Sequence, residues 1–433
     1  MATTGDSSKP TTPNPTTKKR KPRKPKLTTA TAQHVISILN TASSAAHSFL
    51  SQNDLYLLPS QSLQLESLLS SLPPPFSQFP SQPSLFHRFV SSATLDFDQR
   101  WVQFFRLSRP NFYRLLSLLS PSLVFFLPST IPPETALASA LFRLAHGACY
   151  KTVARKFGLD SSEASCLAFY SVCKAVNDKL GDLFEFRRDL ERIVVGFGWI
   201  SLPNCCGALG FGRFGVDGEV FGRNGSILVQ ALVDSEGRFL DISAGWPSSM
   251  EPVAIFRQTR LYLGVEDSRE SELLKGPTYM LSDGCSIPQY VMGDSCFPLL
   301  PWLLTPYSEQ DSFGSAEREF NVAHSRAMKL VSTAFGRVKA RWQLLARRWK
   351  EDSLEFLPFV IVMGCVLHNF LIKWGEPLPE ESVGGCLKGE ELLVFEGEGD
   401  ETGQTIRDAL AQHLSLAILQ MTKDLDDETL KFD

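Results

Sequence analysis

The stretch Ser226–Gly245, SILVQALVDSEGRFLDISAG, limits the possible folds more than any other part of the chain. Two apolar runs, Ser226 to Asp234 and Phe239 to Gly245, flank the turn Ser235-Glu236-Gly237, and their alternation predicts a hairpin within a mixed sheet. Gly198 to Ala208 reads as a further strand and turn. Helical periodicity returns at Pro252 to Tyr262, Glu317 to Leu345 and Leu357 to Ile372. Strands followed by helices make this half α/β.

Ahead of it the pattern is helical. Apolar positions from Trp101 to Leu119 suit amphipathic helices, with Pro110 opening one at its first turn. Residues 132–177 carry clearer punctuation. A helix from Glu134 ends at Gly147, a short one runs from Lys151 to Phe157, and Gly158-Leu159-Asp160 turns the chain so that Ser161 can cap a third helix reaching Val176. Helix, glycine turn, helix is the helix-turn-helix order, whose second helix can enter a major groove. Here that helix is rich in serine and alanine, with Lys174 nearly alone in charge, which is a thin inventory for base edges and phosphates.

At 433 residues, 43% of them hydrophobic, the chain is long enough for two cored domains and is not a disordered protein. The net charge of -4 hides a basic start and an acidic end. Near the start, Lys18, Lys19, Arg20, Lys21, Arg23, Lys24 and Lys26 form a proline-interrupted cluster in a segment with little to bury. It reads as a disordered tail with a nuclear localisation signal, or more plainly as a solvated tail. The nine cysteines show no CxxC word or zinc spacing and read as reduced thiols of an intracellular protein. No apolar run approaches the roughly eighteen residues of a membrane span, so a soluble protein is expected.

Six words, in order, carry a resemblance: CCGAL, LVQALVDSEGRFLDISAGWPSS, GDSCFPLLPWLLTPY, FNVAHSRAM, AFGRVKARWQLL and VMGCVLHNFLI. Together they resemble the DDE domain of PIF/Harbinger transposases and their domesticated relatives, the Harbinger transposase-derived nucleases, over residues 97 to 375. The resemblance implies an RNase H-like fold, a mixed sheet flanked by helices, preceded by the all-α region with its helix-turn-helix. It also implies acidic residues holding two divalent ions, Mg²⁺ or Mn²⁺, for strand cleavage. Such chemistry needs carboxylates that keep two hard cations about 4 Å apart.

Most of those acids are missing. The first family aspartate corresponds to Gly210, and the nearest substitute, Asp217, comes seven residues late. The His-Asp pair expected after the GWPSS word is Glu251-Pro252. The last acid, on the helix before Ala334-Phe335-Gly336, is Ser332. Asp294, in the intact word Gly293-Asp294-Ser295, remains as the metal candidate, with Asp217, Glu251 and Asp283 as lesser ones; alternatively, Asp294 serves as a turn residue. His324-Ser325 resembles a catalytic pair by type, but an interior histidine is the plainer reading. Arg337, Lys339, Arg341, Arg347, Arg348 and Lys350 form a basic segment that either faces DNA phosphates or is a solvated or partner-binding face.

The expected organisation is a basic tail (1–32), helical segments with a proline-rich linker (33–95), a helical domain (96–185), a degenerate DDE domain (186–375) and an acidic tail (376–433) with an amphipathic helix from Thr405 to Met421. The functional expectation is a domesticated transposase that has lost nuclease activity and needs no cofactor. It would act in the nucleus within a chromatin-associated complex, with a Myb/SANT-like partner supplying the DNA contact, as the resemblance to the domesticated plant type implies. Two alternatives are an active metal-dependent endonuclease and a DNA-binding regulator using its own helix-turn-helix.

Overall fold

The computed structural model describes residues 84–184, 189–217, 225–266, 274–308, 314–349, 354–380 and 392–429. The basic cluster from Lys18 to Lys26, the helical pattern before residue 73 and most of the proline-rich stretch lie outside the described residues.

Helices come first. α1 (Leu85–Ser92), α2 (Gln99–Phe105) and α3 (Arg109–Phe126) close around Trp101, Phe105 and Phe112, whose ring centroids lie 5.0–5.5 Å apart. Each such fully buried ring stabilises the fold by about 1.5–3 kcal/mol relative to exposure. α4 (Pro133–His146) stops at Gly147 and α5 (Tyr150–Phe157) at Gly158, both left-handed with φ of 62° and 69°. Glycine adopts that conformation at no steric cost. Ser161 then accepts the Ala164 N–H at 3.1 Å and starts α6 (Ser162–Leu180).

The helix boundaries follow the punctuation, and most of the third helix turns inward. Every residue of α6 from Ala168 to Asn177 is buried. Lys174 lies 4.5 Å from the Phe126 ring centroid and 2.7 Å from Asp178. Tyr170 stacks on Phe356 with centroids 4.0 Å apart, and Asn177 Nδ2 donates to the Phe359 carbonyl at 3.1 Å. From Ala168 to Asn177, α6 is therefore a core helix, and its exposure is confined to its first turns, around Glu163, and to Lys179 near its end.

After α7 (Leu190–Gly198) the chain enters the sheet, formed by β1 (Cys205–Gly215), β2 (Ser226–Val233), β3 (Phe239–Pro247), β4 (Tyr290–Gly293) and β5 (Leu303–Leu304). Their order is β3-β2-β1-β4-β5. The first three strands are antiparallel neighbours, whereas β4 and β5 run parallel to β1. The predicted turn joins β2 and β3: Asp234 Oδ1 accepts the N–H groups of Glu236 and Arg238 at 2.9 and 2.8 Å, and Gly237 takes φ 81°.

Short helices α8 (Pro252–Phe256) and α9 (Arg260–Glu266) follow β3. The long α10 (Ser315–Arg341) packs along β1, and α11 (Gln343–Ala346) continues it. α12 (Leu357–Lys373) packs on β3 and α6, and α13 (Glu401–Thr429) on α10. One buried cluster runs from Phe86 through the sheet to Leu414, so the expected boundary near residue 185 is not a break in packing.

α12 corrects the sequence reading on one point. By length and composition, residues Leu354–Lys373 could cross a membrane, with a mean hydropathy of 1.9. They are almost wholly buried within the protein instead, because α6, β3 and α10 meet the helix on several sides.

The His368-Asn369 word lies on α12 and explains its own spacing. Asn369 brackets Phe239, accepting its N–H at 3.0 Å and donating to its carbonyl at 2.7 Å, while His368 Nε2 lies 3.0 Å from the Gly237 carbonyl. Two adjacent side chains thus clamp the β2–β3 hairpin to the helix. Burial pulls the His368 pKa down to about 4. Between about pH 6.5 and 4 the unfolded chain therefore binds a proton that the folded one does not. This group's contribution is complete above pH 6.5 and is lost as pH falls, by up to about 3 kcal/mol. Denaturant midpoints measured across that range should fall more steeply for wild type than for His368→Gln.

Candidate nuclease site

The sheet brings three of the expected positions together. Gly210 lies mid-way along β1, paired with Ala231 of β2. Asp294 directly follows β4, and its N–H donates to the Leu209 carbonyl at 3.3 Å, beside Gly210. α10 crosses the same point: a Cβ built on Gly210 would lie 3.2 Å from Val331 Cγ1, and Ser332 is the next residue. The backbone therefore assembles a constellation from β1, the end of β4 and the long helix.

The side chains do not complete it. Val331 crowds position 210, where any side chain's Cβ would require it to give by a few tenths of an ångström. Ser332 is exposed and turns its Oγ back to the Lys329 carbonyl at 3.0 Å. Asp294 is half-buried, and its Oδ1 accepts the Ser295 N–H at 2.7 Å, as an aspartate shaping a turn does. His324 is buried on α10 with Nε2 2.8 Å from the Gly293 carbonyl, and burial lowers its pKa. It buttresses the GDS turn, while its exposed neighbour Ser325 faces solvent.

The lesser candidates lie elsewhere. Asp217 sits beyond the end of β1, seven residues from Gly210 and so about 20 Å along the strand direction, where it pairs with Arg348 Nε at 2.6 Å. Glu251 is exposed ahead of α8, and Pro252 is buried in that helix's first turn. They follow β3, which two strands separate from β4, a gap of about 14 Å at ordinary strand spacing. Asp283 accepts the Cys285 N–H at 2.9 Å in a separate small hairpin. Asp217, Glu251 and Asp283 therefore cannot rebuild a site around Asp294.

Among the described residues, no three His, Cys, Asp or Glu side chains are grouped to hold a metal ion. Two hard cations need several carboxylate oxygens within about 2.5 Å of each ion. Asp294 beside Gly210, Val331 and Ser332 does not fit that requirement.

The basic segment is also placed differently from the DNA-facing expectation. Lys339 is buried, donates to the Arg213 carbonyl at 2.7 Å and lies 4.9 Å from the Phe214 ring centroid. Arg341 is buried, and its guanidinium donates to the Arg106 carbonyl at 2.6 Å and to the Pro377 carbonyl. Burial brings its pKa down to about 10. Arg337 is half-buried beside the hairpin glycine Gly237, and Arg348 is committed to Asp217 and the Val216 carbonyl. Arg347, although exposed, donates to the Gly147 carbonyl at 3.2 Å; Lys350 lies outside the described residues. These cations tie β1, the helical half and the chain after α12 together, rather than forming a stripe toward a phosphate backbone.

Spacing gave no warning of this, since the segment's apolar positions fit a helix with one wet face. A partial signal was available in Glu376, a buried acid that accepts from the Ser108 N–H and from Asn111 Nδ2 at 3.0 Å near Arg341.

A five-stranded mixed sheet in this order, flanked by helices and with the long helix against its first strand, fits an RNase H-like DDE core. A family model described as DDE superfamily endonuclease matches residues 221–369. An ALP1-like protein of Arabidopsis thaliana is 34% identical over 251 residues, 54% of this chain and 60% of that one. Antagonist of like heterochromatin protein 1, also from Arabidopsis thaliana, is 28% identical over 348 residues, 75% of this chain and 86% of that one. HARBI1 of Bos taurus is 23% identical over 351 residues, 76% of this chain and 94% of that one. Together these matches support a Harbinger transposase-derived DDE protein. No solved structure matches it.

Proposed function

We propose that this protein is a non-catalytic member of its family that acts as a nuclear interaction protein in a chromatin-associated complex. The observation that carries the loss of cleavage is the Gly210 slot, crowded by Val331 beside a single retained carboxylate, Asp294. A two-metal site needs several carboxylates in one place, and their replacement by Gly210, Pro252 and Ser332 leaves too few oxygen ligands. The core itself is intact, which suits a scaffold used for binding.

The chromatin setting rests on the likeness to the relative named antagonist of like heterochromatin protein 1. The basic cluster from Lys18 to Lys26 supports a nuclear address. A Myb/SANT-like partner supplying DNA contact agrees with the largely buried α6 and with the inward use of Lys339 and Arg341.

A nicking assay on supercoiled DNA with Mg²⁺ or Mn²⁺ tests the first part. Wild type and Asp294→Ala are expected to be equally inactive. Metal-dependent cleavage by wild type that Asp294→Ala abolishes would establish the nuclease alternative instead. Purification of the tagged full chain from nuclei tests the second part, with a Myb/SANT-like protein expected among stoichiometric partners.

A further inference from the structure

The chain after residue 391 returns to the GDS end of the sheet. Leu392 packs against Leu228, Trp246 and Ile255, on the sheet face opposite α10. Three residues on, the Phe395 N–H donates to the carbonyl of Ser295, the residue after Asp294, at 2.9 Å, and the Asp400 N–H donates to the Leu299 carbonyl at 3.0 Å. Gly399 and Gly403 press against Leu299 and Leu300; a Cβ on Gly403 would lie 2.8 Å from Leu300 backbone atoms.

α13 then anchors the segment on the other side. Leu410, Ala411 and Leu414 are buried where α13 meets α10. The Arg407 guanidinium stacks 3.9 Å from the Tyr307 ring centroid and donates to the Thr305 and Pro306 carbonyls at 3.2 and 3.3 Å. Tyr307 Oη bonds to Asp408, and Ser282 Oγ lies 2.7 Å from His413 Nδ1. The segment is thus pinned at both ends, with the GDS turn in between.

We propose that residues 392–415 form an intramolecular strap that occupies the mouth of the former nuclease core and excludes polyanions from it. The proposal deepens the reading above, in that it takes the GDS end of the sheet as the former nuclease mouth. Occupancy does the blocking: two backbone hydrogen bonds and two glycine contacts leave no space for a strand along Ser295–Leu300. Charge adds to it, since Glu396, Glu398 and Glu401 are exposed on the strap and repel phosphates. Arg326 and Lys329, exposed on α10 before Ser332, are the cations that an undocked strap would leave to attract them.

The test uses the full chain in three forms: wild type, an undocked variant (Leu410→Asp with Leu414→Asp), and a neutralised variant that keeps its anchors (E396Q/E398Q/E401Q). Hydrogen exchange of peptides covering 293–304 and binding to a labelled DNA duplex at low salt are read together, with circular dichroism confirming that each form is folded. Undocking is expected to speed exchange in 293–304 about ten-fold and to tighten duplex binding about ten-fold, with a steeper salt dependence. The neutralised variant is expected to change each by less than about two-fold if occupancy dominates. Unchanged exchange in 293–304 on undocking overturns the strap, as does unchanged duplex affinity. A neutralised variant that binds as tightly as the undocked one reduces the effect to charge and also overturns it. Since none of these readouts is cleavage, their outcome is independent of the nicking assay.

Discussion

Gly210→Asp is expected to lower the unfolding free energy by about 2–4 kcal/mol, although the resemblance implies an aspartate at this position. The new Cβ meets Val331 Cγ1 at 3.2 Å, so α10 or Val331 must shift. The carboxylate beyond it enters a buried position with no cationic partner provided. Adding Val331→Ala should recover part of the loss by clearing the slot, and urea unfolding of both variants measures this. A neutral Gly210→Asp would mean that the slot is open, removing the main support for lost cleavage.

The second large effect concerns Arg341. Arg341→Ala should destabilise the protein by about 3–5 kcal/mol, because it strands the Arg106 and Pro377 carbonyls and removes a positive charge near the buried Glu376. Arg106 makes that carbonyl hard to satisfy otherwise, since it ends α2 in the left-handed region at φ 63°. Arg347→Ala, from the exposed end of the same basic segment, should cost less than about 1 kcal/mol. Thermal melts of the two variants separate the readings. A phosphate-binding face would predict the reverse pattern, with stability preserved in both and the salt slope of DNA binding reduced by about one for each cation removed.

Much of the framework was legible in the chain. The β2–β3 hairpin, the glycine stops at Gly147 and Gly158, the Ser161 cap and the run of α12 all stand where local rules put them. Each depends on backbone chemistry within a few residues: φ freedom at glycine, a hydroxyl within reach of an N–H, alternation at the period of a strand. The terminal helix was anticipated from Thr405 to Met421 and spans Glu401–Thr429, since helix boundaries carry little local signal.

The candidate site was legible as a set of missing acids but not as a crowded slot. The resemblance implies carboxylates at the positions that Gly210, Pro252 and Ser332 occupy, and that reading follows from word order and spacing. That Val331 crowds position 210 depends on which face of α10 meets β1, a contact between residues far apart in the chain. The inward placement of Lys339 and Arg341 was hidden for the same reason. Its charges look solvent-facing until α2, β1 and the chain after α12 are folded around them.

By itself, the sequence carried the resemblance to the family, the β2–β3 hairpin and most of the helices, but not α7, the second half of β1, or strands β4 and β5. Only the tertiary structure decided that most of α6 is core, that Lys339 and Arg341 point inward, and that Phe395 meets Ser295. Local propensity and motif order act over a few residues, whereas burial, pairing and occlusion are set by what the rest of the chain brings alongside.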